Sequence, residues 1–271
     1  MMLISPDRLL ANLKDYKIVE ITYGSFGLDS YLEWHVPGAV PLSWSSFLHP
    51  LKRDFGPKER LEAKLGDAGI TENDAVVLYS DLNNRYAFYA FWVMRAFGHK
   101  EVYVLNGGKS SWEFRELPKE KDKREPIPRK YEANEPNWKD RIFVWEILSK
   151  LGSDQFQLID VRYREEFEGK VSTPPEHPNE EAQNSGHIPG AINIPWNNFF
   201  DKLTEELVPP DSLKLDLHSD KEVVVYCRTG ARASLVWFYL KFLLNVEKVR
   251  LYDGSWSEWG NMVGVPIERG F

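Results

Sequence analysis

The chain has 271 residues, of which 42% are hydrophobic and 28% charged, a composition typical of a folded globular protein of one or two domains. Its formal net charge of −7 argues against a nucleic-acid binder, because contacts with phosphate need clustered Lys and Arg side chains. The N-terminal residues lack a signal-peptide pattern, and the sequence has no run of about eighteen apolar residues that could span a membrane.

The cysteine content bears on the compartment. The chain has a single cysteine, which cannot form an internal disulfide and suits a reducing environment. We therefore expect a cytoplasmic protein with no membrane partner and no nucleic-acid partner.

Four short sequence blocks occur twice, in the same order. In the first half they are IVEI at 18–21, HVPGA at 35–39, VVLYS at 76–80 and VLNGG at 104–108. In the second half they are LIDV at 158–161, HIPGA at 187–191, VVVYC at 223–227 and RLYDG at 250–254. Four matches in register exceed what chance supplies, so the pattern indicates a duplicated domain.

Between the two copies lies a stretch of different composition. Residues 117–138 are rich in proline and charge and poor in apolar side chains, which is typical of a linker. We predict one domain at 1–120, a linker at 121–137 and a second domain at 138–271, each domain near the common size.

Short β-branched runs alternate with longer aromatic-rich stretches in both halves. The pattern predicts buried strands at 75–79, 222–226 and 248–252, and helices at 86–97 and 233–244. Strand–helix–strand units of this length imply right-handed crossovers. The predicted fold class is α/β, with two tandem domains that each have a mainly parallel sheet flanked by helices.

The single cysteine directly follows a predicted strand. In open parallel sheets, ligands bind beyond the carboxyl ends of the strands, and Cys227 lies at that edge. The loop CRTGAR at 227–232 has to turn the chain into a helix, and Gly230 can adopt the positive φ that a tight loop requires. Backbone N–H groups of such a loop can converge on an anion, and the flanking Arg228 and Arg232 favour a thiolate nucleophile.

Two other interpretations of this loop stay open. A buried cysteine is often only a small apolar side chain, although an inert core position has no use for two arginines and a glycine. A phosphatase loop has five residues between cysteine and arginine, whereas Arg232 follows Cys227 after four. The shorter loop suits a single sulfur atom better than a tetrahedral phosphate.

Three segments resemble those of the rhodanese family of sulfurtransferases. YLEWHVPGA at 31–39 resembles its N-terminal signature, YDGSWSEW at 252–259 its C-terminal signature, and CRTGAR at 227–232 its active-site loop. The resemblance covers nearly the whole chain. Its tandem arrangement is similar to that of thiosulfate and 3-mercaptopyruvate sulfurtransferases.

The resemblance implies a function. Cys227 would take the outer sulfur of a small-molecule donor such as thiosulfate, hold it as a persulfide, and pass it to cyanide or a thiol without a metal or an organic cofactor. Asp160 would support an arginine near the pocket, although a strand-end turn is an equal alternative for it. The loop residues that would bind the donor are Arg228, Thr229, Gly230, Ala231 and Arg232.

Two positions depart from the better-known thiosulfate enzymes. Thr229 stands where their loop has a lysine, and Glu166 stands where they use an arginine. Arg232 is expected to restore the lost positive charge and to bind the donor's sulfonate. Because the loop is more cationic than that of mercaptopyruvate enzymes, thiosulfate is the predicted donor. The alternatives are 3-mercaptopyruvate, a phosphate ester, or a non-catalytic sulfur-binding role.

The first half lacks the features of the cysteine loop. Ser80 stands where the second half has its cysteine, and DLNNR at 81–85 has no glycine. Since serine cannot readily hold a persulfide, we predict that domain 1–120 is inactive. His35 and His187, each followed closely by proline and glycine, are interpreted as turn residues and not as catalytic groups.

Overall fold

The computed structural model describes residues 2–173, 182–218 and 220–270. It divides into two compact units, the first comprising Met1–Asn137 and Phe200–Leu207, and the second Trp138–Phe199 and Val208–Phe271. Residues 121–137 belong to the first unit, where the Asn134 N–H donates to the Phe97 carbonyl at 3.0 Å. Among the described residues, no helix is long and apolar enough to cross a bilayer.

The first unit has a five-stranded parallel sheet. Its strands are β1 (Leu3–Ile4), β2 (Lys17–Thr22), β3 (Val40–Ser43), β4 (Val76–Tyr79) and β5 (Val102–Leu105). Their order in the sheet is β1-β5-β4-β2-β3. The helices are α1 (Pro6–Ala11), α2 (Gly24–Glu33), α3 (Lys58–Asp67), α4 (Arg85–Ala96) and α5 (Gly108–Phe114). Every residue of β4 is buried, as expected for a strand covered on both faces.

The second unit has a four-stranded parallel sheet. Its strands are β6 (Phe156–Asp160), β7 (Ile192–Asn193), β8 (Glu222–Tyr226) and β9 (Val249–Tyr252), in the order β7-β6-β8-β9. The helices are α6 (Val144–Lys150), α7 (Arg164–Phe167), α8 (Ala231–Phe238) and α9 (Ser255–Trp259). The predicted α/β fold of two parallel-sheet domains is therefore confirmed.

Most predicted boundaries agree with the structure to within one or two residues. The strand predicted at 222–226 coincides with β8. The helix predicted at 233–244 begins earlier, at Ala231, because Gly230 completes the turn in a single left-handed residue with φ 92°. After Phe238 the helix continues as a π-helical turn over Tyr239–Leu243.

The strand register places the ends of three strands side by side. Asp160 of β6 pairs with Tyr226 of β8, which pairs with Tyr252 of β9. After β6 the chain crosses to β7 on one side, and after β8 it crosses to β9 on the other side. The connections therefore diverge between β6 and β8, and open parallel sheets commonly bind ligands at the carboxyl ends of strands where this happens.

Candidate active site

The candidate nucleophile lies at the carboxyl edge of this sheet. Cys227 directly follows β8 and exposes 1% of its surface. The loop after it ends at Gly230, and Ala231 is the first residue of α8. The Gly230 N–H points at the Cys227 Sγ, with 3.2 Å between nitrogen and sulfur. The loop thus aims a backbone donor at the sulfur, an arrangement that stabilises negative charge there.

Gly230 is required at the turn for two reasons. Its φ of 92° lies in the region that favours glycine, and an added Cβ would lie 3.2 Å from the Cα of Asp253. Asp253 is itself held by Arg141, whose Nε and Nη2 donate to its two carboxylate oxygens at 2.8 and 3.0 Å. A side chain at Gly230 would therefore press on a buried, ion-paired neighbour.

The C-terminal signature segment holds the loop in place. The Ser255 Oγ accepts the N–H of Cys227 at 3.2 Å. The N–H groups of Trp256 and Ser257 donate to the carbonyls of Cys227 and Arg228 at 3.0 and 2.9 Å. Because the first N–H groups of a helix lack partners within it, the start of α9 is suited to bind these carbonyls. The sequence alone does not predict this role of Ser255; in the structure its Oγ contact shows the role, and its φ of 54° lies in the left-handed region.

Arg232 forms a buried ion pair with Glu166. Its Nη1 and Nη2 donate to the two carboxylate oxygens at 2.7 and 2.9 Å, and Glu166 is 0% exposed. Burial would raise the pKa of the Glu166 carboxyl, but the Arg232 guanidinium holds it below its ordinary value. The positive charge that Arg232 brings to the loop is therefore balanced by a neighbouring carboxylate.

Asp160 forms a second buried pair, with Arg162. The Asp160 Oδ2 accepts from the Arg162 Nη2 at 2.6 Å, and its Oδ1 accepts the Arg162 N–H at 2.9 Å. Both side chains are 0% exposed, and the Arg162 guanidinium lies 4.5 Å from the centroid of the Trp256 ring. Asp160 is thus both a strand-end turn residue and the partner of an arginine. That arginine, Arg162, was not among the predicted site residues.

The remaining loop residues differ in exposure. Arg228 is buried, and its Nη1 donates to the Ser172 carbonyl at 2.8 Å. Thr229 is partly exposed, and Ala231 is buried at the start of α8. All the predicted loop residues therefore lie between the carboxyl end of β8 and the first turn of α8.

The corresponding position in the first unit has a different construction. The Ser80 N–H donates to the Asn84 Oδ1 at 2.7 Å, and the Ser80 Oγ has no hydrogen-bond partner among the described residues. Leu82, Asn83 and Asn84 have φ between 52° and 62°, so three side-chain-bearing residues in succession are in the left-handed region. No backbone N–H of this loop is aimed at Ser80 Oγ in the described part of the chain.

A buried ion pair also lies at the carboxyl ends of the strands of the first unit. Glu20 is in register with Tyr79, as Asp160 is with Tyr226, and its carboxylate lies 3.3 Å from the Lys109 Nζ. Burial raises the pKa of Glu20 to about 7, although the Lys109 ammonium opposes that shift. The two units therefore share a buried acid at this strand end but differ in its cation.

Residues 200–207 lie against the same edge of the first sheet. Glu205 accepts from the Asn83 side chain at 2.8 Å, and the Leu207 N–H donates to the Asn106 Oδ1 at 2.9 Å. The segment thus bonds the loops that follow β4 and β5, where a ligand would have to bind.

The two histidines interpreted as turn residues are both buried, and each forms an isolated antiparallel bridge just before the turn at its Pro-Gly pair. The His35 Nδ1 donates to the Tyr31 carbonyl at 3.0 Å, and the His187 Nδ1 donates to the Phe167 carbonyl at 2.8 Å. Each ring stacks on the ring of the residue whose carbonyl it binds. These contacts support a structural role for both.

One known protein family matches this chain in two separate segments. The sequence model of the Rhodanese-like domain matches residues 5–114 and again residues 144–262. The two matches together cover well over half of the chain. The chain belongs to the rhodanese family. Its predicted resemblance to that family is thereby confirmed.

Relatives of this rhodanese extend over its whole length. A Mycolicibacterium smegmatis protein named "Putative thiosulfate sulfurtransferase" is 39% identical over 99% of this chain and 98% of its own. The sulfur carrier protein TtuD of Thermus thermophilus is 38% identical over 99% of this chain and 96% of its own. These names support sulfurtransferase activity for the rhodanese described here.

Solved structures similar to this rhodanese include proteins bound to ergothioneine or to trimethyl histidine. An EanB variant with a cysteine persulfide and ergothioneine has a TM-score of 0.83 and 26% identity. The anaerobic ergothioneine biosynthesis enzyme of Chlorobium limicola, with trimethyl histidine, has a TM-score of 0.80 and 25% identity. Each covers 94% of this chain, which in turn spans about 65% of the length of those proteins.

The first rhodanese domain should not become a sulfur carrier when it is given a cysteine. We expect the Ser80→Cys variant to take up one labile sulfur atom per chain from thiosulfate, on Cys227 only. The first-unit loop aims no N–H at position 80, and Asp81 stands where the second unit has Arg228. Intact mass spectrometry after incubation with thiosulfate measures the number of bound sulfur atoms. A second labile sulfur in this variant would contradict the inactive-domain interpretation.

Proposed function

We propose that the second unit is a thiosulfate sulfurtransferase that carries sulfur as a persulfide on Cys227. The observation that carries this proposal is the Gly230 N–H aimed at the Cys227 Sγ at 3.2 Å, at the carboxyl edge of a parallel sheet. A persulfide anion at that position would be stabilised by backbone donors, as an oxyanion is in acyl transfer. The names of the relatives support the thiosulfate assignment.

The first half-reaction forms the persulfide. The Cys227 thiolate attacks the outer sulfur of thiosulfate, and a new S–S bond forms as the bond between that sulfur and the sulfonate sulfur breaks. The electron pair of the broken bond leaves with sulfite. The enzyme keeps the transferred sulfur as the terminal atom of an anionic persulfide on Cys227.

The second half-reaction returns the thiolate. Cyanide or a thiolate attacks the terminal sulfur, the S–S bond breaks, and its electron pair returns to the Cys227 sulfur. The product is thiocyanate or the persulfide of the acceptor thiol. Neither half-reaction involves a net oxidation or a proton transfer that would call for a metal or an organic cofactor.

The loop residues have distinct roles in this proposal. Arg228, Thr229, Gly230 and Ala231 line the turn that holds the donor, and Ser255 fixes the backbone of Cys227. The buried position of Asp160 beside Arg162, at the carboxyl end of β6, makes it a positioning residue. A reducing cytoplasm is the proposed place of action, because it would keep the single cysteine reduced.

One observation favours a second donor. Glu166 balances the charge of Arg232, and 3-mercaptopyruvate, with a single carboxylate, needs less positive charge than the thiosulfate dianion. We therefore keep 3-mercaptopyruvate as the second candidate.

The identity of the donor can be read from the mass of the protein. We expect incubation with thiosulfate to raise the intact mass by one sulfur atom, and addition of cyanide to reverse the change. 3-Mercaptopyruvate tests the second candidate, a phosphate ester tests the phosphatase alternative, and Cys227→Ser is the control for the site. A mass that no sulfur donor changes would overturn the proposal and favour a non-catalytic role.

A further inference from the structure

Three ion pairs surround the cysteine loop, and they differ in what they connect. Asp160–Arg162 lies within one strand-end turn, and Arg141–Asp253 joins the start of the second unit to the end of β9. Glu166–Arg232 alone of the three joins the first turn of α8, directly after the loop, to α7. It is therefore the pair whose charges bear most directly on the cysteine.

Glu166 and Arg232 are joined by two hydrogen bonds. The two N–H···O bonds run in parallel from the guanidinium to the carboxylate, at 2.7 and 2.9 Å. The carboxylate also accepts the Tyr163 N–H at 3.2 Å, and the guanidinium lies 5.5 Å from the centroid of the Tyr163 ring. Such a paired, planar contact commits one N–H of each terminal nitrogen of Arg232 to Glu166.

The pair lies within electrostatic reach of the nucleophile. Burial works against the charge of Arg232, but the Glu166 carboxylate and, more weakly, the Cys227 thiolate raise its pKa above its ordinary value. Because the Arg232 charge interacts with the Cys227 thiolate, it also acts on an anionic donor bound beside that sulfur. In this low-dielectric site, Glu166 opposes any attraction that Arg232 exerts on an anionic donor.

We propose that Glu166 is a specificity-determining residue that lowers the preference of the site for doubly charged sulfur donors. The inference rests on the proposed function, since it assumes persulfide formation on Cys227. By offsetting the charge of Arg232, Glu166 reduces the advantage that a dianion such as thiosulfate has over donors with one negative charge or none. Arg232 then also anchors α8 through Glu166, and the positive charge that it was expected to offer the donor is offset by that carboxylate.

Two donors with the same chemistry and different charge test the proposal. Thiosulfate is a dianion that releases sulfite, and methanethiosulfonate is a monoanion that releases methanesulfinate. In both, the Cys227 thiolate attacks the outer sulfur, the S–S bond breaks, and the leaving group takes the electron pair. The ratio of kcat/KM for thiosulfate to kcat/KM for methanethiosulfonate therefore measures the preference of the site for a doubly charged donor over a singly charged one.

We expect Glu166→Gln to raise this ratio roughly tenfold, because an unbalanced guanidinium attracts the dianion more than the monoanion. Arg232→Gln should lower the ratio, and the double variant Glu166→Gln/Arg232→Gln should return it close to the wild-type value. Glu165→Gln is the matched control, since Glu165 is an exposed carboxylate on the same helix and its ratio should not change.

The outcomes separate this inference from the proposed function. If no variant, including the wild type, forms a persulfide on Cys227 by intact mass, the proposed function fails. If persulfide forms but Glu166→Gln changes kcat/KM for both donors by the same factor, Glu166 only shapes the loop and the inference is wrong. Rates of Cys227 alkylation by a neutral reagent give a readout independent of donor binding, and we expect faster alkylation at neutral pH in Glu166→Gln.

Discussion

The Cys227→Ser variant is expected to lose sulfur transfer almost completely, by at least about a thousandfold in kcat/KM. Serine is nearly isosteric with cysteine, and its hydroxyl can accept the Gly230 N–H that now points at the sulfur. It cannot, however, hold a persulfide, so the first half-reaction has no product. Loss of the covalent nucleophile removes the whole reaction pathway, whereas loss of a single stabilising contact would only slow it.

The same variant should remain folded. The substitution removes no large apolar group and creates no cavity, so we expect the free energy of unfolding to change by less than about 2 kcal/mol. Thermal unfolding provides the control, and intact mass after thiosulfate measures the loss of the persulfide. Substantial sulfur transfer by a folded Cys227→Ser protein would show that the nucleophile has been misassigned.

Breaking the Asp160–Arg162 pair is expected to have the largest effect on stability. Asp160→Ala leaves the Arg162 guanidinium, which is 0% exposed, without its carboxylate and removes the acceptor of the Arg162 N–H. An unpaired charge in such a site costs roughly 3–5 kcal/mol, because the group loses its partner without regaining water. This is a large share of the 5–15 kcal/mol that is typical of a folded domain.

Two comparisons sharpen this second prediction. The double variant Asp160→Leu/Arg162→Met removes both charges and should be more stable than Asp160→Ala by about 2 kcal/mol or more. Arg164→Gln disrupts the more exposed Arg164–Glu168 pair nearby and should cost less than about 1 kcal/mol. Denaturant unfolding measures all three. An Asp160→Ala protein as stable as Arg164→Gln would mean that water or another group compensates Arg162.

Much of the architecture follows from local patterns. The four repeated blocks indicated a duplicated domain, and the family match at 5–114 and 144–262 agrees with that duplication. The run VVVY predicted β8 to the residue, because a strand buried on both faces has an unbroken apolar sequence. The position of Cys227 at the strand end followed from the same run, and the need for a tight turn followed from Gly230.

The sequence by itself determined the duplication, the strand that presents Cys227 and the glycine that shapes its loop, since each depends on residues adjacent in the chain. Only the tertiary structure decided the electrostatics of the site. The sequence predicted that Arg232 binds the donor's sulfonate, but it could not show that Arg232 pairs directly with Glu166, 66 positions away, which happens because α7 and α8 both start at the same edge of the sheet. Charges can be counted along a sequence, but whether they cancel depends on which loops the fold brings together.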